Sequence, residues 1–363
     1  MRIIRLYLIR ELLKPIVMSL VLFTFILLVG NLVKLADLLV NKGVSVLHIA
    51  HLFVLLVPTL LSHTVPMAVL TGTLLAFGRL SSDREILAMR ASGISLLALS
   101  LPLLTVGTLV SLGLVPINDR VVPLSHYETR KLLVDIGLKN PAAFLEAGTF
   151  IKEFKPYILF VYQVNGNRLS KVRIYEPQEG RPTRTVVAES GEFIPIPSER
   201  RVVLKLYDGS ADEPDPRDPS KFYKLKFASY AINLAVETQD PQGLARKPKD
   251  MTLDQIRLEV ASLKAQGVDP SPLKAEAYRR IAMAFSPVVF ILVGFPLAIT
   301  TRRAQRSVGL AMSVVVFLGY YGLLVLGQAL AQKGILTAGP AVWLGNIVLS
   351  LLGAGLLWRA SRA

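Results

Sequence analysis

The sequence predicts a polytopic α-helical membrane protein with six transmembrane helices. It also predicts an extracytoplasmic all-β, jelly-roll-like domain inserted between helices 3 and 4. Three observations predict this. Six long stretches carry no Asp, Glu, Lys or Arg, a charged segment of different grammar separates the third from the fourth, and Lys and Arg gather in alternate short loops. The composition agrees. Of 363 residues 52% are hydrophobic and 18% charged, with mean hydropathy +0.49, whereas soluble chains carry about a quarter charged residues. The apolar fraction excludes disorder, and aperiodic Gly and Pro exclude a collagen. With no Cys in the chain, disulfide scaffolds, thiolate zinc sites and Cys nucleophiles are excluded as well.

A bilayer core about 30 Å thick takes roughly 20 apolar helical residues to cross. The charge-free stretches are residues 15–33, 44–78, 91–118, 281–301, 307–332 and 334–358. The first is too long for a signal-peptide core and has no small-residue cleavage site behind it, so it reads as a retained span. The second suits one generous span. Its early part, with His48 and His51, belongs at the interface or beyond, and Pro58 and Pro66 predict kinks. The fifth and sixth are separated only by a break at Lys333-Gly334, enough for a tight turn.

The short loops on one side hold Arg2, Arg5, Arg10, Lys14, Arg79, Arg84, Arg90, Arg302, Arg303, Arg306, Arg359 and Arg362. Those on the other hold Lys34, Lys42 and Lys333. By the positive-inside rule both termini are cytoplasmic. These segments carry 11 of the formal net charge of +15, so the basic balance is topological and does not point to nucleic acid.

The third span then exits outward, and residues 119–250 form the extracytoplasmic domain. Residues 157–164 are rich in β-formers and lead to Asn165-Gly166, a hairpin signal. Segments 169–175, 184–188, 201–207 and 222–234 follow, with turn clusters such as Glu213-Pro214-Asp215-Pro216 between them. Strands at this spacing suggest a sandwich or jelly-roll. Lys205 and Asp208 flank core positions in the alternation of a half-buried strand. Residues 251–280 read as a helical linker: Thr252-Leu253-Asp254-Gln255 has capping-box spacing, Gly267 is a helix stop, and Ser271-Pro272 restarts a helix that runs into the fourth span.

Chemistry-bearing motifs are few. No Gly-x-x-x-x-Gly-Lys-Ser/Thr, His-Glu-x-x-His or Gly-x-Ser-x-Gly occurs, so the chain is not itself an ordinary P-loop ATPase. His48 and His51, three apart, are either a pair of imidazoles on one helix face or two interfacial polar residues. His63 is either an intramembrane polar site or a hydrogen-bonding partner of a nearby helix or a freed carbonyl. The charge-free stretches contain no carboxylate, which argues against a proton- or sodium-coupled pump. Energy, if used, comes from a partner. The loop 79–93 can meet one: Ser81 or Ser82 can cap a helix whose first turn carries Asp83 and Glu85, with Ile86, Leu87 and Met89 on an apolar side and Gly93 as terminator. That is either a coupling helix docking on a cytoplasmic partner or an amphipathic turn on lipid headgroups. Lys34, at the outer end of the first span, can meet a lipid phosphate, as substrate contact or as ordinary anchor.

Several segments together resemble the LptF/LptG family of lipopolysaccharide-export permeases, closer to its F type. They are Ile4-Arg5-Leu6-Tyr7-Leu8-Ile9-Arg10-Glu11-Leu12-Leu13-Lys14, Glu85-Ile86-Leu87-Ala88-Met89-Arg90-Ala91-Ser92-Gly93, Val186-Val187-Ala188-Glu189-Ser190-Gly191, Leu206-Tyr207-Asp208-Gly209, and residues 276–301 with Pro296-Leu297. The resemblance runs through essentially the whole chain. It implies a subunit without cofactor that pairs with a second LptF/LptG-type permease and binds a cytoplasmic ATPase dimer. It also implies a lipid cavity that passes lipopolysaccharide or a related amphiphile to a β-bridge including a single-span periplasmic accessory subunit. Carried over, Glu85 becomes the ATPase-coupling residue with Arg84 and Arg90 beside it, and Lys34 a substrate-binding cation, while Lys42 has no secure match. Asp83 stands two before Glu85 with Arg84 between, a local departure from the family pattern. The implied arrangement is transmembrane helices 1–3 in residues 1–118, the β-domain in 119–250, the linker in 251–280 and helices 4–6 in 281–363. Two other classes stay open on the residues: an envelope scaffold whose β-domain binds periplasmic partners without transport, and a lipid-acting enzyme using outer carboxylates such as Asp119 or Glu128.

Overall fold

The computed structural model describes residues 2–40, 44–139, 148–151, 154, 156–165, 168–178, 181–196, 201–214, 222–234, 246–300 and 306–362. Lys42, Arg302, Arg303 and the Asp215-Pro216 part of the turn cluster lie outside them. The chain divides into two compact units. One comprises residues 1–31, 55–127 and 247–363, the other residues 32–54 and 128–246.

Among the described residues six helices are long and apolar enough to cross a membrane. Helices α1 (Arg2–Val40) and α2 (Val46–Ser82) are joined through the short α3 (Glu85–Ala91) to α4 (Leu96–Pro116). A π-helical turn, Ile117–Val121, continues α4 into α5 (Val122–Lys139). The third membrane helix therefore does not stop at residue 118, where charge first appears; helical backbone persists to Lys139 and the first strand begins at Phe150. After the sheet come α6 (Leu253–Ala265), α7 (Ser271–Thr300), α8 (Arg306–Gln332) and α9 (Ala338–Arg362). Both sides of the Thr252/Gln255 capping box form, and Gly267 takes φ +72° past the end of α6.

Helix α7 is the hub of the first unit. Of its most apolar stretch 72% is buried, against 17% in α1 and α8. Its Phe290 packs edge-on against Tyr320 of α8, and Phe295 against Phe77 of α2. Two prolines inside α7 each free a carbonyl four residues back. Ser286 Oγ donates to the one at Met283 at 2.7 Å. The other, at Leu292, faces Gly353 of α9, where a Cβ would sit 2.7 Å from the oxygen. Only glycine permits that approach, as small residues do between membrane helices.

In the second unit, strands β1 (Phe150–Ile151), β2 (Ile158–Asn165), β3 (Arg168–Gln178), β4 (Arg181–Ile196), β5 (Arg201–Pro214) and β6 (Phe222–Leu234) form one antiparallel sheet in that order. Asn165 pairs with Arg168 across the expected hairpin. This is an up-and-down order; the Greek-key connections of a jelly-roll do not occur among the described strands. Instead the sheet bends on itself. The inward set changes parity along β2 to β5: Leu159 and Val161 then Val164, Leu169 then Val172 and Ile174, Val186 and Ala188 then Phe193, Leu204 and Leu206 then Ala211. Lys171 and Asp208 take left-handed φ of +53° and +50° at the change. Residues from all six strands consequently share one apolar core.

Candidate functional site

The loop between α2 and α4 carries the first constellation. Helix α2 runs through Ser82, so neither serine caps α3; Ser81 Oγ instead donates to the carbonyl of Ile299 at 3.4 Å. The chain turns into α3 at Arg84, whose φ of +59° supplies the sharp corner a serine cap would otherwise make. Gly93 at φ +84° ends the helix, its N–H donating to the Arg90 carbonyl at 2.9 Å. Ile86 is buried in the core with Leu80 and Leu8, and Met89 and Ile94 pack on that core. Arg84, Leu87, Ala88 and Ala91 face out, Leu87 with 60% exposure. The short helix therefore has a docked side and a free, mildly apolar side.

The expected coupling residues are divided between these sides. Arg84 is exposed and Arg90 half-buried in the last turn. Glu85 lies on the rim and accepts a hydrogen bond from the Tyr7 hydroxyl of α1 at 2.7 Å. One turn along α1, Glu11 pairs with Arg79 at 2.6 Å. Lys34 is exposed near the far end of α1. No local pattern announces the Tyr7–Glu85 bond, since its partners stand 78 positions apart.

A second constellation, of which the sequence marks only His63 and Asp119, is a buried polar cluster at α4, α7 and the chain entering α6. Glu276, Arg280 and Asn118 are each at most 5% exposed. Glu276 accepts from Arg279 at 2.7 and 2.9 Å and from Arg280 at 3.0 Å. Arg280 also donates to the carbonyls of Pro248, at 2.7 Å, and Met251. Asn118, set inward by the π-helical turn, accepts from Ser62 at 2.6 Å and donates to the Arg280 carbonyl at 3.4 Å. Asp119, beside it, accepts the Leu253 N–H at 2.7 Å. Its carboxylate thus serves the first turn of α6, and Glu128 lies 4.0 Å from Lys131. A cavity of about 30 Å³, room for a water, is walled by His63, His126, Arg279 and their neighbours. The spacing Glu276-x-x-Arg279-Arg280 on one helix face was the available signal.

The remaining candidates are quieter. His63 Nδ1 meets the Thr59 carbonyl of its own helix at 2.9 Å, and His48 Nδ1 meets Ser45 Oγ. No cluster of three or more metal-ligating side chains exists among the described residues. In the sheet, the segments 186–191 and 206–209 meet at the bend: Asp208 supplies the turn, and a Cβ on Gly209 would strike the Val187 carbonyl and the Phe227 ring.

Comparison with known proteins fits this arrangement. The model of the family "Lipopolysaccharide export system permease LptF/LptG" matches residues 6–359. Lipopolysaccharide export system permease protein LptF of Escherichia coli (strain K12) is 23% identical over 356 residues, covering 97% of this chain and 93% of that protein. LptG of the same strain is 24% identical over 233 residues, 63% of this chain and 62% of its own, so LptF is the better match. An uncharacterized protein of Rickettsia prowazekii (strain Madrid E) is 27% identical over 188 residues, 52% of each chain. Together with the six helices among the described residues that are long and apolar enough to cross a membrane, the similarity supports a multi-pass inner-membrane permease subunit. The match runs through α1–α9 and the sheet alike, and the chain belongs to the lipopolysaccharide export system permease LptF/LptG family.

Proposed function

We propose that this chain is a transmembrane permease subunit of an ATP-driven ABC exporter. In this reading it pairs with a second LptF/LptG-type permease and extracts lipopolysaccharide or a related amphiphile from the inner membrane. A cytoplasmic ATPase dimer docks on the free side of α3, with Glu85, Arg84 and Arg90 at the contact, and Lys34 meets a phosphate of the cargo. Both termini are cytoplasmic. The β-unit stands in the periplasm and hands the lipid to a β-bridge that includes a single-span accessory subunit.

The observation that carries this reading is α3 itself: an amphipathic helix between two spanning helices, docked by Ile86 and free at Leu87, Ala88 and Ala91. It stands in a chain that has no nucleotide-binding loop of its own. Strand β6 adds support for the bridge. It is 13 residues long and ends the order of the described strands, pairing among them only with β5, as an edge strand does.

Glu85→Arg tests it. Reversing the charge should lower ATPase copurification about tenfold or more, because a charge-assisted contact turns into repulsion. Copurification and lipid release both at the unsubstituted level would remove Glu85 from the contact.

A further inference from the structure

We infer that Tyr7 is a positioning residue that locks α3 to α1, so that a push on α3 from the cytoplasmic partner moves α1 with it. The inference rests on the reading of α3 as the partner's docking helix. Its geometry is independent of that reading.

Tyr7 and Glu11 stand four apart, on one face of α1. Each reaches a different part of the α2–α3 corner: Tyr7 donates to Glu85 Oε2 at 2.7 Å, and Arg79 donates to Glu11 at 2.6 Å. Leu8 and Leu12, interleaved with them, are buried in the core that also holds Ile86 and Leu80. Apolar packing alone would let α3 slide on α1, because it is non-directional. The Tyr7–Glu85 bond fixes the register of α3 on α1, while Glu11–Arg79 holds the end of α2 beside it.

Glu85 is placed to serve both sides at once. It opens α3 on the rim between docked and free faces, and Tyr7 engages only Oε2. Oε1 is left for a donor of the partner. One carboxylate then bridges the partner to α1, and charge on it strengthens the bond from the tyrosine hydroxyl. The tie lies at the start of a single helix, Arg2–Val40, that also carries Lys34.

The test uses the full chain assembled with its copurifying ATPase. The absence of Cys allows spin labels at Ile3→Cys and Ser92→Cys, both at exposed positions. The distance between them is expected to stay narrow and unchanged when ATP with vanadate is added. In Tyr7→Phe, which keeps the ring and loses the hydroxyl, the distribution should broaden about twofold on nucleotide binding while the ATPase stays bound. Glu85→Gln keeps an acceptor for Tyr7, so it should retain the narrow distance and lose ATPase instead. A distance that shifts in the unsubstituted chain, or a Tyr7→Phe chain as narrow as the unsubstituted one, overturns the proposal. No ATPase on the unsubstituted chain overturns the α3 reading, and this proposal with it.

Discussion

Arg280 shows how a single side chain can hold a segment of chain in place. It is 5% exposed, neutralised by Glu276, and spends its terminal nitrogens on two backbone carbonyls of the chain entering α6. Replacing it with Met removes the cation and orphans those carbonyls, while Glu276 keeps Arg279. Each buried acceptor left unsatisfied costs about 1–3 kcal/mol. Arg280→Met should therefore lower thermal stability in detergent clearly more than Arg279→Met, whose side chain is 20% exposed. It should also speed proteolysis between Lys247 and Leu253. Equal losses in the two variants would contradict the role given to Arg280. Glu276, Arg279 and Arg280 lie just before the charge-free stretch 281–301, where charge marks the edge of a span. The i, i+3 and i, i+4 pairs let the helix bury its own charges, so the buried part of α7 begins before the charge-free part does.

At the scale of elements, the two sides of α3 separate folding from docking. Ile86→Asp puts a charge into a core where the side chain is 5% exposed, and the chain should fail to accumulate in membranes. Leu87→Asp, one residue on, replaces a side chain that is 60% exposed. It should leave stability within about 0.5 kcal/mol, as surface changes do, and still reduce ATPase copurification. Thermal melts and copurification from membranes check both halves. Much at this scale was legible in the sequence. The spans, the strand segments, the capping box at Thr252 and the stop at Gly93 each rest on local chemistry that the fold leaves intact. The Ser81 or Ser82 cap was not realised, because α2 continues through both and the corner falls on Arg84, a residue with no special turn propensity. The extension of the third helix to Lys139 escaped as well. A π-helical turn absorbs Asn118 and Asp119 by giving each a partner, so charge does not end the helix there.

For the whole molecule, the positive-inside count makes a directional statement. Single cysteines introduced into the Cys-free chain at Ser82 and at Gln163, both exposed, should label oppositely with a membrane-impermeant maleimide. Gln163 should react in spheroplasts and Ser82 only after the inner membrane is permeabilised; the reverse pattern would invert the topology. As a permease subunit the chain is one part of a larger machine, with no P-loop motif in its sequence and one side of α3 exposed. The most direct test is purification from native membranes in mild detergent, with mass spectrometry of bound protein and lipid. A second permease, a cytoplasmic ATPase and a phosphorylated amphiphile are expected in the same particle. A chain recovered alone after gentle extraction, or bound only to envelope proteins, would contradict this and favour a scaffold.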